Sequence, residues 1–242
     1  MKTRAAAPLA PVQRTQLKAL LFLGLARHFA SPTAEPQDGW SLAELVAAAG
    51  ELGLGDAACA LGDALRARDA GSGVAAVHSR IFYQSTPPPY ETSHAGGSAA
   101  ELADIAGFYR AFGVTLSGDK PDHLVAELEF LALLLAKEVR AVESGQAERA
   151  AVCADARARF LRDHLATWTD AFADAVGERH PGSVWSHLAL ASARCVRAEA
   201  SEAGVEPIRR TLPPGFADRF PAMPGPRVDL DRPPCADAEP GP

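Results

Sequence analysis

The stretch that most constrains the fold runs from Leu124 to Val139. Leu124, Leu128, Leu131 and Leu135 recur at three- and four-residue spacing, and Val125, Ala132 and Val139 widen the stripe. A helix apolar over so much of its circumference has to sit inside a bundle, with other helices around it. The remaining sequence agrees. Ser41-Leu42-Ala43-Glu44 and Ser98-Ala99-Ala100-Glu101 each set a hydroxyl three residues before a carboxylate, the spacing of a capping box. Period-two alternation is almost absent. The expected fold is all-α: a single-domain multi-helix bundle.

Helix boundaries follow from punctuation. The first helix spans about Pro11 to Phe29, the second starts after Ser41 and closes at Gly50, and the third covers about Asp56 to Arg68. A fourth, about Val74 to Phe82, leads into Pro87-Pro88-Pro89, which cannot be helix interior. Gly113 marks a left-handed C-terminal cap after the Ser98 helix, and Pro121 suits the first turn of the next. Two further helices are expected over about Glu148 to Val176 and Pro181 to Ala203, with Trp168, Phe172, Trp185 and Leu188 in their shared core. From Glu206 onward lie ten of the 19 prolines. Such a segment buries too little apolar surface to offset its ordering entropy. Residues 1–205 therefore read as the helical domain and residues 206–242 as a largely disordered Pro-rich tail.

Composition excludes more than it identifies. A net charge of -6 argues against nucleic acid as the partner. The apolar run Ala19 to Ala26 is flanked by Lys18 and Arg27, so it is too short for a membrane span and fits the first amphipathic helix. The four cysteines are widely scattered, without metal-ligand or dithiol spacing. No nucleophile elbow, phosphate loop, dinucleotide fingerprint or zinc-protease motif occurs, so no catalytic residue, metal site or cofactor is expected, and the protein reads as a non-enzyme.

Recognition chemistry is concentrated between His78 and Phe130. Ile81, Phe82 and Tyr83 in succession cannot all face one core, so at least one lies near the surface. Pro89-Tyr90-Glu91 offers an aromatic and a carboxylate on a connecting segment. Asp122 and His123 open a helix that carries Glu127 on the same face as His123. Asp122 is also a natural helix cap. Carboxylates at Glu91, Asp122, Glu127 and Glu129 beside an apolar wall suit a cationic, partly apolar peptide better than bond breaking.

The order of these elements resembles the TorD/DmsD/NarJ family of chaperones for molybdenum enzymes. The likeness covers about residues 14–200. It rests on Phe29 to Pro32, Arg80-Ile81-Phe82, Pro89-Tyr90-Glu91, Gly107 to Gly113, Pro121-Asp122-His123, Glu127 to Phe130 and His164-Leu165 with Trp168. The resemblance implies an all-helical, cytoplasmic protein without enzymatic activity. Its partner would be the catalytic subunit of a molybdopterin oxidoreductase, with its twin-arginine signal peptide, and no membrane. The peptide-binding positions it implies are His78, Ile81, Phe82, Pro89, Tyr90, Asp122 and His123, to which the charge argument adds Glu91 and Glu127. Tyr90 to His94 is most similar to chaperones of the DMSO-reductase type II branch. Two other functions fit the same residues: an assembly factor that binds only the mature subunit, and a weak GTP-binding or hydrolysing protein.

Overall fold

The computed structural model describes residues 9–208, apart from 72, 86, 97 and 116–119. Its α-helices are α1 (Pro11–Ala30), α2 (Leu42–Glu51), α3 (Gly55–Asp69), α4 (Val74–His78), α5 (Glu91–His94), α6 (Ala99–Ala111), α7 (Leu124–Glu143), α8 (Ala147–Asp163), α9 (Thr169–Arg179) and α10 (Val184–Glu202). A π-helical turn, Ser79–Tyr83, continues α4, and a 3-10 turn, Leu165–Thr167, lies between α8 and α9. Among the described residues there is no strand, only one isolated antiparallel bridge between Tyr90 and His123. The all-α expectation is borne out. The tail expected to be disordered falls, beyond Ile208, outside the described residues.

The leucine stripe does what its breadth requires. Leu124, Leu128, Leu131, Leu134 and Leu135 are fully buried. Helix α7 packs on α1 and on α8, and α10 packs on α3 and α9. Each buried leucine contributes about 1.5–3 kcal/mol relative to exposure. Helix α1 supplies Leu21, Phe22, Leu25 and Phe29 to the same core. At Gly24 it comes so close to α2 that a Cβ would lie 2.5 Å from Leu45 Cδ2.

Both capping boxes form. The Ser41 hydroxyl accepts from Glu44 N at 3.3 Å, and the Glu44 carboxylate accepts from Ser41 N at 2.8 Å. Ser98 and Glu101 repeat the exchange. Gly113 has φ 75°, the left-handed conformation expected of it.

Three boundaries differ from the sequence reading. The helix expected from Val74 to Phe82 changes to π-helix at Ser79. The helix expected from Glu148 to Val176 breaks at His164, whose φ −130° and ψ −98° are not helical. Pro121 does not enter the first turn of α7, because His123 is the N-cap residue and Pro121 and Asp122 precede it. At the second and third sites, long-range polar bonds override the local pattern.

An ion-pair network ties α1 to α10. Lys18, only 6% exposed, bonds Glu199 at 2.9 Å and Glu202 at 2.6 Å. Arg157 of α8 pairs with Glu199 and Glu138. No helix among the described residues is long and apolar enough to cross a membrane.

Candidate functional site

Two segments distant in sequence are stitched together by backbone bonds. Glu91 N donates to Asp122 O at 2.9 Å, and Leu124 N donates to Pro89 O at 3.0 Å. The starts of α5 and α7 therefore meet. The Asp122 side chain does not cap α7, contrary to the simple reading of its position. Its Oδ2 accepts from the Thr92 hydroxyl at 2.6 Å and from Thr92 N at 3.2 Å, at the start of α5. His123 caps α7 instead, with Nδ1 accepting from Val125 N at 3.2 Å. The Tyr109 hydroxyl fixes the approach by donating to Pro121 O at 2.7 Å.

Above this junction runs a strip of rings. The Tyr90 ring meets His123 edge-on at 5.3 Å, and Phe82 lies 5.9 Å from His123. Phe82 stacks on His78 at 4.6 Å, and His78 touches Trp185 at 4.9 Å. The Lys120 ammonium sits over the Tyr90 ring at 4.9 Å. The π-helical turn sorts the three consecutive apolar residues. Ile81 is buried, Phe82 is half-buried, and Tyr83 is 69% exposed, which is the surface aromatic the sequence called for. Turns of this kind are frequent at functional positions.

Beneath the strip the carboxylates are buried. Glu91, Asp122 and Glu127 are at most 1% exposed. Pro89 is buried as well, while Tyr90 and His123 are half-buried. Glu127 Oε2 accepts from Trp168 Nε1 at 3.1 Å. His164 lies on the other flank of Glu91, with Nδ1 3.3 Å from both carboxylate oxygens and Nε2 3.0 Å from Asp104.

A family model for the nitrate reductase delta subunit matches residues 48–174, a span that holds all nine candidate residues, His164 and Trp168, though not Trp185. The chain belongs to the nitrate reductase delta subunit family. This bears out the TorD/DmsD/NarJ resemblance. Similar proteins include the chlorate reductase assembly chaperone protein of Ideonella dechloratans, 42% identical over 74 residues, and the selenate reductase assembly chaperone protein of Thauera selenatis, 43% identical over 74 residues. Each match covers 29% of this chain and 37% of the relative, so it spans little more than a third of the relatives' length.

In this delta-subunit family member, burial decides the electrostatics. Burial and the adjacent Glu91 charge raise Glu127 well above the ordinary carboxyl range. That favours the protonated form of Glu127, in which Oε1, without a partner among the described residues, has a proton to offer Glu91 while Oε2 accepts from Trp168. Burial alone would lower His164, but its bonds to Glu91 and Asp104 outweigh that and hold it above its usual value. His78 is lowered by burial, and its Nε2 donates to Phe29 O at 2.9 Å. Its Nδ1 lone pair then faces inward without a donor among the described residues, as does Asp122 Oδ1. Among the described residues no group of three or more His, Cys, Asp or Glu is placed to hold a metal ion. Cys195 is deeply buried and pushed up to about 12.

All nine candidate residues gather in this region, though in two layers. Phe82, Tyr90 and His123 are half-buried in the strip, His78 is its buried inner member, and Ile81, Pro89, Glu91, Asp122 and Glu127 are buried. Sequence reasoning missed Thr92, Asp104 and the polar role of His164. Only the His164-Leu165 to Trp168 likeness pointed to that corner, and it carried no chemistry of its own.

Proposed function

We propose that this protein is a maturation chaperone for a molybdopterin oxidoreductase of the DMSO reductase family. It binds the twin-arginine signal peptide of the catalytic subunit, or the subunit before its cofactor is in place, and holds it in the cytoplasm until export. It catalyses no reaction. The observation that carries this reading is the family match together with two relatives named as reductase assembly chaperones. The site supports it independently. His78 Nδ1 and Asp122 Oδ1 are buried acceptors without a donor among the described residues, and a buried acceptor left unpaired costs about 1–3 kcal/mol. Arginine guanidinium groups supply donors in a fixed fork. The half-buried rings of Phe82, Tyr90 and His123 offer apolar area for the run that follows the arginines.

The test is calorimetry with a synthetic signal peptide of two adjacent arginines followed by an apolar, helix-prone run. Tyr90→Ala and Asp122→Asn should each weaken binding, Asp122→Asn by roughly 1–3 kcal/mol if its hydrogen bond is charge-assisted. Asparagine still accepts from Thr92, so α5 stays in place. Unchanged affinity in both variants would sink the site. If the protein ignores the peptide but co-purifies with a mature molybdopterin subunit, the assembly-factor function replaces this one.

A further inference from the structure

We propose that His164, held as an imidazolium between Glu91 and Asp104, positions the Tyr90-Glu91 segment and makes client binding fall as pH rises. The proposal rests on the peptide-binding reading above and names a regulator of that site.

Geometry is the first argument. Both ring nitrogens of His164 face carboxylate oxygens, at 3.3 Å to Glu91 and 3.0 Å to Asp104. A neutral imidazole has one N–H and would set a bare lone pair against a carboxylate on one side. Only the imidazolium donates to both. Its ring is 99% buried by side-chain exposure of 1%, with Glu91 at 2%, while Asp104 is 63% exposed. The clasp thus runs from the interior to solvent, so a proton has a short route in and out.

Placement is the second argument. Helix α5 has four residues, far too few to hold itself. Its anchors are the backbone bonds Glu91 N to Asp122 O and Leu124 N to Pro89 O, the Glu91 side chain on His164, Thr92 on Asp122, and His94 Nε2 on Pro88 O at 2.7 Å. Glu91 follows Tyr90 directly, so the side chain that grips His164 sets where the Tyr90 ring meets His123. The titratable groups that act on His164 are Glu91 on α5 and Asp104 on α6, with Glu127 on α7 beside Glu91. Asp163, next to it on α8, is bound by Arg162. Phe108 and Phe160 close the ring's remaining sides. Loss of the His164 proton leaves the buried Glu91 charge without its cation, so the segment loosens and Tyr90 loses its fixed register. The upward displacement of the His164 titration agrees with this sense.

Three measurements test the proposal on the full chain from pH 6 to 9: nitrogen NMR of the His164 ring, amide exchange at Glu91 to Ala95, and affinity for the synthetic signal peptide. In the wild-type protein, His164 is a doubly protonated ring at pH 6. As it titrates, exchange at Glu91 to Ala95 speeds up and affinity falls about tenfold per unit of pKa difference between bound and free protein. Asp104→Asn, at an exposed position, removes one of the two carboxylates that hold the imidazolium and moves all three curves to lower pH. His164→Gln shows weak binding that no longer declines on the alkaline side. A neutral ring at pH 6, or exchange at Glu91 to Ala95 that stays flat while the ring titrates, overturns the proposal. So does a His164→Gln variant with the wild-type profile. If the wild-type protein binds no signal peptide, the functional reading falls, and the ring and exchange measurements still decide the clasp.

Discussion

Glu127 illustrates how much depth matters for a single side chain. The sequence places it four residues after His123, on one face of a helix. Spacing says nothing of how far that face lies from water. In the fold Glu127 is fully buried between Trp168 and Glu91, where burial and the Glu91 charge favour its neutral form. Its folded pKa lies above the unfolded value of 4.5. The stability it confers is complete below that value and is lost as pH rises through the folded one. Glu127→Gln keeps an acceptor for Trp168 and a donor for Glu91. Its cost at pH 6 should stay below about 1 kcal/mol, and the variant should gain on wild type at pH 9. Urea unfolding at the two pH values checks both. Trp168→Phe should instead cost about 1–3 kcal/mol at pH 6, because it strips Glu127 Oε2 of its donor. A neutral outcome there would mean that Glu127 has another partner.

At the scale of elements, the chain announced its local signals faithfully and its long-range ones hardly at all. Ser41 and Ser98 cap where their boxes said, because a capping box is complete within four residues. Ser41→Ala should cost about 1 kcal/mol in chemical denaturation. Asp122 looked like a cap by the same logic, yet Thr92, 30 residues away, takes its carboxylate and leaves the task to His123. His164 breaks what read as one long helix because two carboxylates from α5 and α6 bind its ring. Neither competitor is visible in a local window. The candidate residues could be gathered from the order of their motifs, but their separation by depth could not. The α1–α2 contact was also unannounced. Gly24→Ala places a methyl against Leu45 Cδ2 and should cost about 1–3 kcal/mol by overpacking, read as a lower melting temperature. Little change would show that Leu45 can swing aside.

For the molecule as a whole, the buried histidines oppose one another. His28, His78 and His94 are each lowered from 6.5 by burial. The stability linked to them is present above that value and is lost as pH falls through their folded values. His164 is raised, so its contribution is full below 6.5 and is lost as pH rises through its folded value. The melting temperature should therefore peak between the two limbs and decline on either side. Calorimetric scans from acid to alkaline pH check this, and His164→Gln should flatten the alkaline limb. A melting temperature that climbs steadily into alkali would contradict the assignment. The join between α1 and α10 has a consequence of another kind, for synthesis. Lys18 emerges early from the ribosome, whereas Glu199 and Glu202, which neutralise it, emerge about 180 residues later. Burying an ammonium group without its counter-charge costs several kcal/mol. Until α10 has been translated, α1 cannot seat fully, and a nascent chain stays open to proteases. A fragment ending before Val184 should accordingly be digested rapidly where the full chain resists.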